Sequence, residues 1–315
     1  MAAKRRSPAL DFLVYVAVRA LVCVVQALPL RLALGLTGPL AALAYRVDRR
    51  HREVAAENLR FAFPDKSPAE IDRLVRGCYR HFCRLLIEII LLPRKFRMGN
   101  WRNHGELVNA EPVTRALLDV QRPCLIVTAH LGNWELAGYA LGALGHRTYA
   151  IARVLDNPYL ERFLLKFREA TGQTIIAKKD DFDRLDGALK AGGKVATLAD
   201  QDAGPRGVFV DFFGRPASAH KAVALMALEF RAVMVVVGTV RRADARDDCI
   251  GPYDIICEDA IDPDDYRDDP DAVRSITQRY HAALERLVRR HPEQYFWLHR
   301  RWKSQPAKKG AKKAA

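Results

Sequence analysis

From Pro123 to Tyr139 the chain reads P-C-L-I-V-T-A-H-L-G-N-W-E-L-A-G-Y. Cys124 to Ala129 is a short apolar run behind a proline, the pattern of a strand buried on both faces. It stops abruptly at His130. Gly132 and Asn133 then bring turn and N-cap chemistry, and Trp134-Glu135-Leu136-Ala137 opens a helix with a carboxylate in its first turn. An imidazole is therefore expected where a buried strand feeds a helix, with Glu135 close by.

That placement suits acyl transfer. A hydroxyl is a poor nucleophile at neutral pH, so its attack on a thioester carbonyl needs a base to take its proton, and an imidazole is suited to that task. His130 is the expected general base, and Glu135 is expected to orient it and support its charge. The backbone N–H groups of Gly132 and Asn133, at the helix start, are expected to face the developing oxyanion.

Downstream, apolar runs alternate with helical ones. Strands are expected over 148–152, 174–177, 194–198, 208–213 and 233–240, and helices over 136–144, 158–171, 182–191 and 218–230. Such alternation predicts an α/β fold: a central, mostly parallel or mixed sheet covered by helices, with its site beyond the strand ends. Upstream, Ser67-Pro68-Ala69-Glu70 is a capping-box pattern opening a long helix that Pro93 is expected to end. Ile71, Leu74, Val75, Cys78, Phe82, Leu85, Leu86 and Ile89 are its expected core face.

The N-terminus is different in kind. Residues 10–28 are almost continuously apolar, broken by Asp11, Arg19 and Gln26, and a second apolar run covers 32–45. The first run is long enough to span a bilayer, although Arg19 near its middle is costly there. Residues 1–50 are read as a membrane anchor, either one imperfect span or a hairpin in one leaflet, ahead of a domain over 51–303 and a lysine-rich disordered tail over 304–315. The net charge of +14 predicts attraction to acidic surfaces, whether anionic lipid, nucleic acid or an acidic carrier protein.

Six scattered cysteines form no C-x-x-C pair, and neither H-E-x-x-H, a P-loop nor G-x-S-x-G occurs. These absences disfavour zinc hydrolases, P-loop NTPases and serine esterases of the usual kind. Three further clusters carry candidate chemistry. Arg153, followed by Asp156-Asn157-Pro158, could hold a phosphate or carbonyl oxygen. Asp200-Gln201-Asp202 follows a strand end and is expected to fix a loop and support the His130 site, while Phe209, Phe212 and Phe213 line an acyl slot or fill core. P-E-Q-Y-F-W-L-H-R-R-W-K, from Pro292, interleaves aromatic and basic residues in a way that suits a membrane interface or nucleobase stacking.

Three stretches together, H-L-G-N-W-E, A-D-Q-D-A-G-P-R-G-V-F-V-D-F-F-G-R-P-A and P-E-Q-Y-F-W-L-H-R-R-W-K, resemble the lipid A late acyltransferases, the lauroyl and myristoyl transferases of Gram-negative outer-membrane biosynthesis. E-N-L-R-F-A-F-P, R-V-L-D-N-P and the apolar N-terminus extend the resemblance over nearly the whole chain. It implies an acyltransferase-like α/β fold, an acyl-carrier-protein or acyl-CoA donor, a glycolipid or lysolipid acceptor and no metal or other cofactor. It also implies a place on the cytoplasmic face of the bacterial inner membrane, beside anionic lipid, with no nucleic-acid partner. Residue by residue, it assigns His130 and Glu135 to the family's H-x-x-x-x-[DE] pair, Arg153 to the arginine before its Asn-Pro, and Asp200 to the acidic residue after its central strand. Asn133, Asn157 and Gln201 are further expected substrate contacts. Ser218-Ala219-His220-Lys221 departs from the small, Thr-rich segment usual there. Two rival readings are a hydrolase that uses the same pair to activate water and a non-catalytic basic protein that binds membrane or nucleic acid.

Overall fold

The computed structural model describes residues 7–177 and 181–306. Among them the chain forms strands β1 (Gly105–Val108), β2 (Cys124–Thr128), β3 (Thr148–Ala152), β4 (Gln173–Ala177), β5 (Lys194–Leu198), β6 (Val208–Phe212), β7 (Arg215–Ala219), β8 (Val233–Arg241) and β9 (Tyr253–Ile261). The helices are α1 (Pro8–Ala27), α2 (Leu30–Gly35), α3 (Thr37–Val47), α4 (Arg49–Ala62), α5 (Pro68–Lys95), α6 (Ala110–Leu118), α7 (Trp134–Ala143), α8 (Pro158–Glu169), α9 (Phe182–Lys190), α10 (Lys221–Glu229) and α11 (Ala272–Arg290). Seven strands build one sheet in the order β1-β9-β8-β2-β5-β3-β4. Every pair is parallel except β8 with β9.

β2 lies mid-sheet with Cys124 to Val127 buried, as a continuous apolar run between parallel neighbours must be. Its register with β5 pairs Thr128 with Leu198. The chain therefore leaves both strands at the same edge of the sheet, and that edge is where the polar residues collect.

Ser67 caps α5 through the expected reciprocal bonds with Glu70. The helix continues past Pro93 to Lys95, because a proline this near the C-terminus costs few helical bonds. Leu86, expected in the core, is 62% exposed. The buried face of α5 instead takes in three polar side chains, His81, Arg84 and Glu88, which pack behind the His130 turn.

α1 is a single uninterrupted helix, the one segment among the described residues long and apolar enough to cross a membrane. Leu10, Leu13, Leu21 and Val24 lie exposed along it. The second apolar run folds differently: it divides into α2 and α3, Ala33 and Leu34 are buried, and α3 packs along α5. From residue 307 onward the basic tail lies outside the described residues.

β1, β9, α6 and β7 have no counterpart in the sequence reading. Arg215 to Ala219, part of which reads as the start of a helix, pairs antiparallel with β6 as a hairpin, and α10 begins only at Lys221.

Candidate active site

His130 stands two residues beyond β2 and Asp200 two residues beyond the adjoining β5. The shared register brings them together. Asp200 accepts a hydrogen bond from His130 Nδ1 at 2.8 Å and another from the His130 backbone N–H at 3.0 Å. A carboxylate only accepts, so Nδ1 carries the proton and Nε2 is left as the basic nitrogen. Asp200 is buried, while the His130 side chain keeps 22% of its surface exposed.

Burial alone would lower the His130 pKa. The charge of Asp200, its hydrogen bond and the charge of Glu135 outweigh burial and lift the imidazole above its ordinary value. For Asp200, burial pushes the carboxyl up, yet the contacts with His130 prevail and hold it at about 2. Both shifts describe one attraction between a cation-prone ring and a carboxylate.

Glu135 is near enough to act on His130 through its charge, but its carboxylate is engaged elsewhere. Arg168 of α8 donates to both its oxygens, with Nε at 3.2 Å from Oε2. The orienting role expected of Glu135 thus falls to Asp200, and Glu135 is one half of a largely buried ion pair.

The turn that follows His130 is tightly fixed. Gly132 adopts φ +60° and lies so close to β8 that a Cβ there would stand 1.7 Å from the Thr239 carbonyl oxygen. Its N–H donates to Gln294 O at 3.0 Å, and the Asn133 N–H donates to Thr239 O at 2.7 Å. Both amides are therefore spent on the fold, which overturns their expected part in an oxyanion hole. The first-turn N–H groups of α7 lie beside them, where a helix leaves donors without intrahelical partners.

Asn133 is fully buried and caps α7 through Leu136 N–H, while its amide donates to Glu88 at 3.1 Å. Glu88 also accepts from Tyr253 and, at 2.8 Å, from Arg84. His81, which burial lowers to about 4 and so keeps neutral, donates from Nε2 to Gly132 O at 3.1 Å. Asn133 is thus a member of the scaffold behind the site, and a substrate contact is no part of its geometry.

Two other expected contacts have partners of their own. Arg153 is 80% exposed and pairs with Asp156 at 3.2 Å. Asn157 is buried as the N-cap of α8, and its amide donates to the Asp11 carbonyl of α1 at 2.9 Å. Gln201, partly buried, directly follows Asp200. Asp202 fixes its loop by accepting from Gly204 N–H and the Ser304 hydroxyl. His220 and Lys221 form the start of α10.

The aromatic-basic segment after Pro292 is internal. Tyr295, Trp297, Arg301 and Trp302 are buried, which overturns the membrane-interface and nucleobase readings. Arg301 donates to Ser218 O at 2.8 Å, and His299 Nε2 accepts the Asp202 N–H at 3.1 Å. Phe212 and Phe213 join this core.

An apolar cavity lies close to the site. Of about 200 Å³, it opens between α6, α7 and the sheet, walled chiefly by aliphatic side chains and by the small residues Gly138, Ala150 and Ala196. Thr128, Trp134, Glu135 and Arg168 also line it. Trp134, whose ring makes edge contact with the His130 ring at 5.1 Å, links the imidazole to the wall of this cavity.

The family model for bacterial lipid A biosynthesis acyltransferases matches residues 3–304. The lipid A biosynthesis palmitoleoyltransferase of Escherichia coli K12 is 26% identical over 272 residues, covering 85% of this chain and 83% of that protein. The lauroyltransferase of lipid A biosynthesis from the same organism is 26% identical, with 85% and 84% covered. The phosphatidylinositol mannoside acyltransferase of Mycolicibacterium smegmatis is 26% identical over 218 residues, 68% of this chain and 70% of that protein. A paired histidine and aspartate at the edge of a largely parallel sheet, an apolar cavity at their side and a match over nearly the full length lead to one assignment: this chain belongs to the bacterial lipid A biosynthesis acyltransferase family, and is an acyltransferase.

Proposed function

We propose that this protein transfers a fatty acyl group from a thioester, carried by acyl-carrier protein or coenzyme A, to a hydroxyl of a lipid A precursor-like glycolipid. The observation that carries this reading is the His130–Asp200 pair beside an apolar cavity. His130 Nε2 takes the acceptor hydroxyl proton as that oxygen attacks the thioester carbonyl. The tetrahedral intermediate collapses, the C–S bond breaks, and the departing thiolate takes the proton back from the imidazolium. The products are an ester and a free thiol.

Asp200 holds the productive tautomer and stabilises the transient imidazolium. The first-turn amides of α7 favour the oxyanion, and the Glu135–Arg168 pair shapes the cavity mouth next to the reacting carbon. The acyl chain occupies the apolar cavity, where each buried methylene contributes roughly 0.8 kcal/mol. α1, with its exposed leucines and valines, anchors the enzyme in the bacterial inner membrane, and the active site meets its donor on the cytoplasmic side. The glycolipid acceptor is supported by the family and by the names of its relatives.

The test is direct. Detergent-purified protein is incubated with acyl-carrier-protein or coenzyme A thioesters and a lipid A precursor, and products are followed by mass spectrometry. Acylated glycolipid is expected, with turnover lost in His130→Ala. Free fatty acid as the only product, or undiminished transfer by His130→Ala, would sink the proposal.

A further inference from the structure

A second cavity, of about 470 Å³, opens between α1, the end of α5 and α8. It is lined by Arg19 of α1 and by Arg162 and Lys166 of α8, together with Tyr15, Tyr159 and Phe163. Arg162 and Lys166 are one helical turn apart, so their charged heads share a face. Both are exposed, and among the described residues neither makes an ion pair. The Arg19 guanidinium lies over the Phe163 ring, 4.6 Å from its centroid.

Arg19 is the informative member. A guanidinium halfway along a largely apolar helix is costly in hydrocarbon unless it faces protein, water or a counter-ion. Here it turns toward the cavity, where Arg162 and Lys166 add like charge instead of neutralising it. Unpaired cations beside aromatic rings match a ligand with an anionic head and a hydrocarbon body. On the side of α1 that carries Arg19, Phe12 and Val16 are exposed.

We propose that this cavity binds the phosphate headgroup of an anionic bilayer phospholipid, whose acyl chains lie along the exposed face of α1. Such a lipid would bridge the charges of α1 and α8 and complete a junction now held by the Asn157–Asp11 hydrogen bond and the Phe12–Tyr159 ring contact. α8 borders both cavities, giving Arg168 to the one beside His130 and Arg162 and Lys166 to this one. The inference rests on α1 meeting a bilayer and is independent of the reaction.

The full chain, purified in neutral detergent and mixed with equal amounts of phosphatidylglycerol and phosphatidylcholine, would be examined by native mass spectrometry. Preferential retention of phosphatidylglycerol is expected. Arg162→Gln with Lys166→Gln should weaken that retention roughly tenfold or more, given the attraction each cation exerts on anionic lipid. The same charge removed elsewhere, by Arg267→Gln with Arg274→Gln, should leave it unchanged. Equal loss in both double variants, or no preference in the wild type, would overturn the site. Displacement by millimolar inorganic phosphate would overturn it in favour of a soluble phosphoryl ligand. Retention of neither lipid would remove the membrane premise, while acyl transfer assayed on the same preparation reports separately on the reaction.

Discussion

Asp200 grips His130 at two points, the ring Nδ1 at 2.8 Å and the backbone N–H at 3.0 Å. One carboxylate therefore fixes the position of the imidazole as well as its tautomer. Asp200→Asn removes the charge and keeps the shape, and it should lower kcat by about 10³- to 10⁴-fold. Steady-state kinetics, with circular dichroism to verify folding, checks this.

The pH dependence follows in sign. Because the attraction of Asp200 and Glu135 outweighs burial and raises the His130 pKa above 6.5, the base form is lost as pH falls through that raised value. The acid limb of kcat/KM should have its midpoint above 6.5. In Asp200→Asn the desolvation that depresses the pKa remains while the main attraction is gone, so the midpoint of the residual activity should move down. A limb that stays in place would mean that another group controls it.

Glu135 and Arg168 form a pair that can be reversed. Glu135→Gln should cost on the order of 10²-fold in rate, less than Asp200→Asn, because it alters the cavity mouth and the field at His130 without touching the ring. The exchange Glu135→Arg with Arg168→Glu should recover thermal stability relative to either single change, yet leave activity low. Melting curves and initial rates on the three variants separate these roles.

Filling the apolar cavity should change which donors are used. Ala150→Phe adds a ring to a wall of the space beside Trp134. Discrimination against the longer of two acyl donors should rise by roughly 10- to 200-fold in kcat/KM, measured by competition between thioesters of different chain length. Unchanged preference would place the acyl chain elsewhere.

At the turn, Gly132→Ala should be severe. The residue sits at φ +60° and its new methyl would meet the Thr239 carbonyl at 1.7 Å. Left-handed strain alone costs about 1–3 kcal/mol, and displacing β8 adds to it. Urea unfolding should show a lowered midpoint and the activity assay a loss that exceeds the loss of folded protein.

The histidine was legible because its signal is local: an apolar strand, a stop, a turn and a helix start lie within one continuous stretch. Asp200 was legible as a support of the site but not as the ring's direct partner, since it is 70 residues away and only sheet order makes the two neighbours. A trace of it exists in the paired strand ends T-A-H and L-A-D, which occupy matching positions once β2 and β5 are placed side by side. Glu135 drew the role by proximity in sequence, and the nearby Arg168 that claims it comes from a different helix. The strands from β2 to β6 and β8 could be read from their apolar content. β7 could not, because Arg-Pro-Ala-Ser-Ala has little β propensity and forms a hairpin only through β6. The buried role of Arg301 was hidden for a related reason: nothing in its neighbours announces that Ser218 O and His281 wait to receive it.

The matched register of β2 and β5 has a consequence for how such an enzyme can diversify. His130 and Asp200 are aligned by backbone pairing of β2 with β5, whereas α6 and α7 supply much of the wall of the apolar cavity. Substitutions on those helices can lengthen, shorten or bend the slot while the chemistry stays in alignment. A one-residue slip of β5 would do the reverse, turning the Asp200 carboxylate to the opposite side of the sheet and silencing the enzyme with its slot intact.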